Sequence, residues 1–563
     1  MLVSGMLFSF ITAEMQAAAP DAGSIQREVE RQTPSVSPPG SSTVITPPEK
    51  NVPSSKGASY RVTVKQFVIQ GATLIDEASL QAEISSLVGK SLTIDGLNEV
   101  ADRITALYTR SGYIGEAYLP PQEVPDGVVM IRVVEARLGK VIVEAKPEAR
   151  LLSDLAEAYV TSSQPLGEYV NTRQLERGLR LLQSTSGIRS SALIRPGSMP
   201  STVDAVLALD SVPLVRASVG YDNFGGVSTG ENRFNGSLGF ESPLRIGDRL
   251  AFKTLDATGM NYARVFYSLP LDTDGVSAGV SASWLGYRLG GDFTALDATG
   301  QSVTAGAFLS KTLIAGQRSV MTGMIGFEFR HFMDDIAQIR ISDKRFNTIT
   351  LGLSGGWKDD LMGGGWTSGG ASIVTGVLDL SKIDEIRELD SLSGKTEGSY
   401  SKLNLNFSRE QRLGNNRLSL YTAFSGQLAS GNLDRSEKFI LGGPFGVRAY
   451  PVSEGAGDNG LLFTAELRHQ PTSALQLFIF YDWGMVRQYS ETWAGWQTLV
   501  GEPNTYHLNG MGMGVQLKPL DRLSLRGTMA SRLGRNPLAD AMGHDHDGTK
   551  NDPRFWLEST YEF

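Results

Sequence analysis

From residue 214 to the terminal Phe563 the chain shows no helical period, and apolar and polar side chains instead alternate one by one in short runs. Alternation at period two puts successive side chains on opposite faces of a strand. Sixteen such segments begin near Val215, Arg233, Arg249, Asn261, Val276, Gln301, Ser319, Asn347, Gly365, Tyr400, Arg417, Gly460, Leu475, Tyr506, Arg522 and Arg554. Their spacing of about 22 residues leaves room for a strand of about ten residues and its connection, which suits a tilted transmembrane barrel. Leu403, Leu405 and Phe407 alternate with Asn404, Asn406 and Ser408, and Leu523, Leu525 and Met529 alternate with Arg522, Ser524, Arg526 and Thr528. One face suits hydrocarbon and the other suits water. A water-soluble sandwich alternates too, but carries fewer polar inward groups.

The remaining features agree with a β-rich chain of several domains. There are 63 glycines among 563 residues and only 20% charged side chains. No run of eighteen apolar residues follows the N-terminus, which argues against a helical span and leaves a barrel open. A formal charge of -8 opposes general nucleic-acid binding, which needs cationic surface. With no cysteine there is neither a disulfide nor a thiolate metal site.

Residues 1–19 hold an apolar segment, Leu2 to Ala13, then Ala17-Ala18-Ala19-Pro20, and read as a secretory signal without its basic leader. Residues 20–32 contain a candidate short helix, Ser24 to Arg31, with Ile25 and Val29 on one face. Residues 33–59, with Pro34, Pro38, Pro39, Pro47, Pro48 and Pro53 among serines and threonines, read as a linker. Two β-α-α-β-β units follow, at 60–137 and 138–212. Their helices are marked by Leu80, Ile84, Leu87 and Val88, Leu97 to Tyr108, Leu151 to Tyr159, and Leu175 to Leu182.

In the long connection between the eleventh and twelfth segments stands Gly442-Gly443-Pro444-Phe445-Gly446-Val447-Arg448-Ala449-Tyr450. The thirteenth segment carries Phe480-Tyr481-Asp482-Trp483-Gly484. A carboxylate facing lipid is costly, so Asp482 is expected to face the lumen, with Phe480 and Gly484 beside it. Arg448, on a glycine-rich loop, is the expected partner, since an arginine fork binds a carboxylate bidentately.

The loop resembles the conserved sixth-loop motif, and the strand the F-x-D-x-G motif, of the outer-membrane superfamily of barrel insertases and two-partner secretion transporters. Gly112-Tyr113-Ile114, Leu119-Pro120-Pro121-Gln122, Asp126-Gly127 and Val133-Val134-Glu135 resemble the first polypeptide-transport-associated (POTRA) domain of haemolysin and adhesin transporters. The resemblance implies α+β periplasmic POTRA domains followed by an all-β, 16-stranded antiparallel transmembrane barrel at 213–563. The implied protein is an outer-membrane pore of a Gram-negative bacterium that exports an unfolded exoprotein without nucleotide hydrolysis. Its implied partners are an exoprotein with an N-terminal secretion domain, outer-membrane lipid, and, during biogenesis, barrel-assembly machinery and periplasmic chaperones, with the transporter a monomer. Val447, Arg448, Tyr450, Phe480, Asp482 and Gly484 form the implied latch of loop to barrel. By the same resemblance, residues 20–32, with Ser24 to Arg31 as the helix, and residues 443–459 are the candidates that fill the pore, and Phe563 is the implied C-terminal insertion signal. Ala449 departs from the superfamily's usual glycine and questions a left-handed backbone there. An insertase that places clients in the membrane is the alternative, although such relatives generally carry more than two POTRA units.

No enzyme signature survives its context, and neither catalytic residues, cofactor nor metal is expected. Gly275-Val276-Ser277-Ala278-Gly279 has the letters of a nucleophile elbow, but strand alternation continues through it. Gly89-Lys90-Ser91 and Gly394-Lys395-Thr396 lack the glycine a phosphate loop requires five places earlier. His544 to Asp547 are read as a solvated stretch of the last extracellular loop.

Overall fold

The computed structural model describes residues 19–31, 61–414, 417–497 and 501–563. The linker and, Ala19 aside, the signal segment lie outside the described residues. The first described element is helix α1, Ala22–Glu30. Its N-cap is Asp21, three residues before the expected start. Asp21 accepts from the Ser24 amide at 2.8 Å while Ser24 Oγ accepts from the Asp21 amide at 3.1 Å, a reciprocal box that satisfies two orphan donors.

The first β/α unit holds β1 (Arg61–Thr63), β2 (Gln66–Gln70), α2 (Glu77–Ile84), β3 (Ser91–Thr93), α3 (Ile94–Ser111), β4 (Gly115–Tyr118) and β5 (Val128–Glu135). Strand β3 is an addition to the pattern read from sequence, and the expected first strand is split into β1 and β2, because three residues are too few to show a period. The sheet order is β2-β5-β4, with α2 and α3 covering one face through Leu80, Ile84, Leu97, Val100 and Ile104. Glu135 ends β5 almost fully buried, accepting from the amides of Thr73 and Leu74 at 2.7 and 2.8 Å and from Tyr108 Oη at 2.7 Å. Burial pushes its carboxyl up, but these donors outweigh burial and hold it below the usual carboxylate range.

The second unit comprises β6 (Arg137–Ala145), α4 (Ser153–Ser163), α5 (Thr172–Ser184), β7 (Ile188–Pro196) and β8 (Thr202–Ser211), with sheet order β6-β8-β7. The two units are joined by backbone pairing. Residues 167–172 thread between the end of α3 and the β5–β6 connection: Val170 donates to Ala136 at 2.9 Å, Ala136 to Ile114 at 2.9 Å, and Thr172 to Gly112 at 2.8 Å. The second unit seats on the turns at one end of the barrel. Leu152 donates to the Arg245 carbonyl at 3.2 Å, and Arg177 binds Asp274 at 2.9 Å.

Sixteen antiparallel strands close the barrel. They are β9 (Val215–Asp222), β10 (Arg233–Glu241), β11 (Arg249–Ala257), β12 (Met260–Pro270), β13 (Val276–Arg288), β14 (Ala298–Ala315), β15 (Ser319–Ile336), β16 (Ile339–Asp359), β17 (Gly365–Asp379), β18 (Gly398–Arg412) and β19 (Leu418–Ala429). After a loop containing the two-residue strands β20 (Phe439–Ile440) and β21 (Ala456–Gly457) come β22 (Asn459–Thr472), β23 (Leu475–Arg487), β24 (Thr505–Leu520), β25 (Leu523–Arg532) and β26 (Arg554–Glu562). Strand β16 starts eight residues before the expected Asn347. The outer wall is apolar and uncovered: Ile325 and Phe327 on β15, Ile349, Leu351 and Leu353 on β16, Ile479 on β23, and Met511 and Met513 on β24 are all exposed. So continuous an apolar band is what a lipid-facing wall requires. The first and last strands close over five residue pairs, Glu558 opposite Asp222 to Glu562 opposite Ser218.

Candidate functional site: the filled lumen

The parity of β23 turns Leu477, Ile479 and Tyr481 outward and buries Phe478, Phe480 and Asp482 inside the wall. Across from it on β24, Gly510, Gly512 and Gly514 make a bare track. A methyl added at Gly512 or Gly514 would collide with the rings of Phe480 or Phe478, at 2.5 and 2.2 Å. These glycines therefore let two aromatic rings lie flat on the inner wall.

The loop between β19 and β22 descends onto this surface. Its tip is a tight knot in which Val447 donates to Leu441 at 2.8 Å and Tyr450 to Val447 at 3.1 Å, with Gly443 at φ 95°. Only glycine fits at 446, where a Cβ would lie 1.7 Å from the Leu441 carbonyl oxygen. The knot presents Arg448 to the wall. Its Nε and Nη2 donate to the two Asp482 oxygens at 2.8 and 2.7 Å, and its own amide donates to Asp482 at 3.1 Å. Its guanidinium lies 3.4 Å over the Phe480 ring. Asp482 is fully buried and also accepts from Thr464 Oγ1 at 2.9 Å. Breaking so buried a pair costs roughly 3–5 kcal/mol.

The other predicted residues fall around this pair with different partners. Val447 and Leu441 fill the notch at Gly484, whose added methyl would lie 3.2 and 2.6 Å from their side chains. Tyr450 is buried under the Arg532 guanidinium, 5.1 Å from its ring. Ala449 has no left-handed backbone, and its methyl packs on Gly510. Phe563 sits apart at the chain end, edge-on to Tyr561 at 5.1 Å.

Glu466 on β22 belongs to the site and was missed from sequence. It accepts from Arg448 Nη1 at 2.5 Å and from Arg468 at 2.6 Å, with Arg526 at 3.8 Å. The rule that picked out Asp482 applies equally here, since Leu461, Phe463 and Leu467 fix the outward parity of β22 and turn Glu466 inward.

Helix α1 occupies the lumen beside the loop. Ala22, Ile25 and Val29 are buried against a collar of Tyr262, Leu285, Tyr287, Phe332, Phe346 and Leu378. Gly23 passes so close to Phe332 and Ser436 that a methyl would lie 3.0 and 2.6 Å from them. Its polar ends are tied as well. Lys344 bridges Asp21 and Asp434 at 3.1 and 2.7 Å, Glu30 lies 3.6 Å from Arg264, and Arg27 donates to the Ser436 carbonyl at 2.9 Å. Arg31 donates to the carbonyl of Gly442 at 3.0 Å, so the helix touches the loop tip directly.

The His544–Asp547 stretch, expected to be solvated, is so only in part: His546 is exposed and His544 and Asp547 are half-buried, but Asp545 is not. Asp545 is buried, paired with Arg532 and accepting from Asn536 at 3.0 Å. The His546 amide and Asn536 both bind Glu454 of the sixth loop, at 2.9 and 3.0 Å. The last loop is thus a lid fastened to the sixth. No metal-binding cluster of His, Cys, Asp or Glu occurs among the described residues.

Comparison with known proteins agrees with this architecture. Residues 204–517 match the model of the haemolysin secretion/activation protein family ShlB/FhaC/HecB, and residues 62–136 match the ShlB-type POTRA domain. The heme/hemopexin transporter protein HuxB of Haemophilus influenzae is 25% identical over 583 residues, covering 100% of this chain and 98% of that one. The structure of CdiB from Escherichia coli superposes with a TM-score of 0.69 at 21% identity, covering 96% of each chain. CdiB from Acinetobacter baumannii gives 0.61 at 17% identity, again covering 96% of each.

Proposed function

Because the chain belongs to the haemolysin secretion/activation protein family of outer-membrane transporters, we propose that α1 and the sixth loop are the resting closure of its export pore. Export of an exoprotein across the outer membrane is the family's activity, with the POTRA domains in the periplasm and the 16-stranded barrel in the membrane. The observation that carries the closure is that Arg448, Asp482 and Glu466 anchor the loop inside the wall while Lys344 and Arg264 hold the helix beside it.

In this reading the POTRA pair receives the N-terminal secretion domain of a large exoprotein of haemolysin, adhesin or contact-dependent toxin type. The sheet edges at β2 and β7 carry backbone groups for an added strand, which pairs without regard to most of the client's sequence. The client passes unfolded, since a barrel of this size encloses a channel too narrow for a folded domain. Folding outside supplies direction, at about 5–15 kcal/mol per domain. The transporter acts as a monomer, and periplasmic chaperones and barrel-assembly machinery serve only its biogenesis.

Co-expression with an exoprotein that carries a secretion domain tests the reading against membrane insertion. Export predicts the exoprotein in the medium or released from the surface by external protease. Recovery of the client as an integral outer-membrane protein would make the chain an insertase.

A further inference from the structure

The sixth loop is held on two sides, and only one of them is the Arg448 side chain. The Arg448 carbonyl accepts from Trp556 Nε1 at 2.8 Å, and Trp556, nearly buried, stands on the last strand, β26. Its ring meets Phe224 at 5.9 Å, and Phe224 meets Phe445 of the loop tip at 5.6 Å, both edge-on. This corner is also where the barrel closes on itself. Beyond the five paired residues, Asn223 continues the junction with its side chain, donating to the Phe555 carbonyl at 2.9 Å and accepting from the Leu557 amide at 2.7 Å. Asp222 at the end of β9 is held by Arg233 at 2.7 Å. The loop tip therefore spans from β22 and β23, where Glu466 and Asp482 grip the guanidinium, across Gly510 of β24 to the junction of β26 with β9.

We propose that Trp556 is a positioning residue for the sixth loop: its indole N–H fixes the Arg448 backbone so that the guanidinium meets both carboxylates at once. The inference rests on the export reading given above. The Arg448 side chain and its amide both hold to Asp482, and holds to that one carboxylate leave the loop backbone free to rock about it. A second hold on the same residue's carbonyl, from another strand, removes that rotation, as preorganised supports do for a functional group.

Trp556→Phe keeps the ring and its contacts with Phe224 but loses the donor. In planar bilayers the full-length variant is expected to open spontaneously about tenfold more often than the parent, the shift given by leaving one buried acceptor unpaired. The barrel itself is expected to remain folded, shown by unchanged heat-modifiable migration. Equal opening frequencies in parent and variant would overturn the proposal. A purely structural role is separated by closing the junction covalently. The chain has no cysteine, and Tyr221 and Ser559 face each other across β9 and β26, so the Tyr221→Cys, Ser559→Cys pair forms a lockable background. With that disulfide formed, extra openings in Trp556→Phe must persist. Their disappearance would mean that the tryptophan acts only by closing the barrel, and the proposal would fail. An unmutated chain that exports no exoprotein defeats the export reading and leaves this conductance comparison standing.

Discussion

At the scale of single residues, the site is a problem of unequal charge. Three guanidiniums, Arg448, Arg468 and Arg526, face two carboxylates, Glu466 and Asp482. Asp482 is saturated by four donors, three from Arg448 and one from Thr464, so the remaining cations share Glu466, and Arg468 also reaches the half-exposed Glu410 at 3.4 Å. Glu466→Gln keeps the shape and removes the charge, leaving three arginines to Asp482 and the half-exposed Glu410. We expect the loop to lose about 3–5 kcal/mol of its hold, seen as frequent spontaneous channel openings while the barrel stays folded. Openings at the parental frequency would show that Asp482 suffices. Asp482 was legible in the sequence because a charge in an apolar alternating strand has only one affordable direction, and Arg448 because it stands on a glycine-rich loop able to bring a cation to that carboxylate. Glu466 obeys the same rule, but it lies in a segment with Arg468 and His469, where polar residues are common and a single carboxylate does not stand out.

At the scale of elements, legibility follows the solvent. Fourteen of the sixteen barrel strands begin within two residues of the positions read from alternation, since lipid on one side and water on the other impose a period the sequence must display. The exceptions are β14, three residues early, and β16, eight residues early. The first part of β16, Ile339 to Phe346, adds to a strand already longer than the roughly ten residues a crossing needs; its inward side chains pack on the lumen filling, Phe346 in the collar and Lys344 on Asp21 and Asp434, and Asp343 on the other face pairs with His331 at 2.9 Å. Helix α1 presents the opposite case. At nine residues it is too short to be stable alone, so its fold depends on the lumen that receives it. Gly23 is its closest approach to that lumen. Gly23→Leu forces a side chain into Phe332 and Ser436, and should displace the helix and enlarge single-channel conductance, as deletion of residues 20–32 is also expected to do. Conductance equal to the parent's would mean that α1 does not close the pore.

At the scale of the whole molecule, one chain makes a periplasmic arm, a membrane cylinder and, in the proposed reading, its own stopper. The arm's two β/α units are stitched by residues 167–172, and the second sits on the barrel mouth. The proposed stopper is held by the apolar collar around Ala22, Ile25 and Val29 and by polar contacts to the wall and to the loop, and an entering unfolded chain carries side chains of both kinds to replace them. The claim on which this account depends is that the client travels through the space now filled by α1 and the sixth loop. Photo-crosslinking to an exoprotein stalled by a fused, tightly folded C-terminal domain tests it most directly. Arg264 points into the lumen toward Glu30, and its neighbour Val265 is exposed on the outer wall. A crosslinker at 264 is predicted to capture the stalled client and one at 265 to capture none. Adducts from 265, or none from 264 while the client's leading end is detectable at the cell surface, would contradict the account.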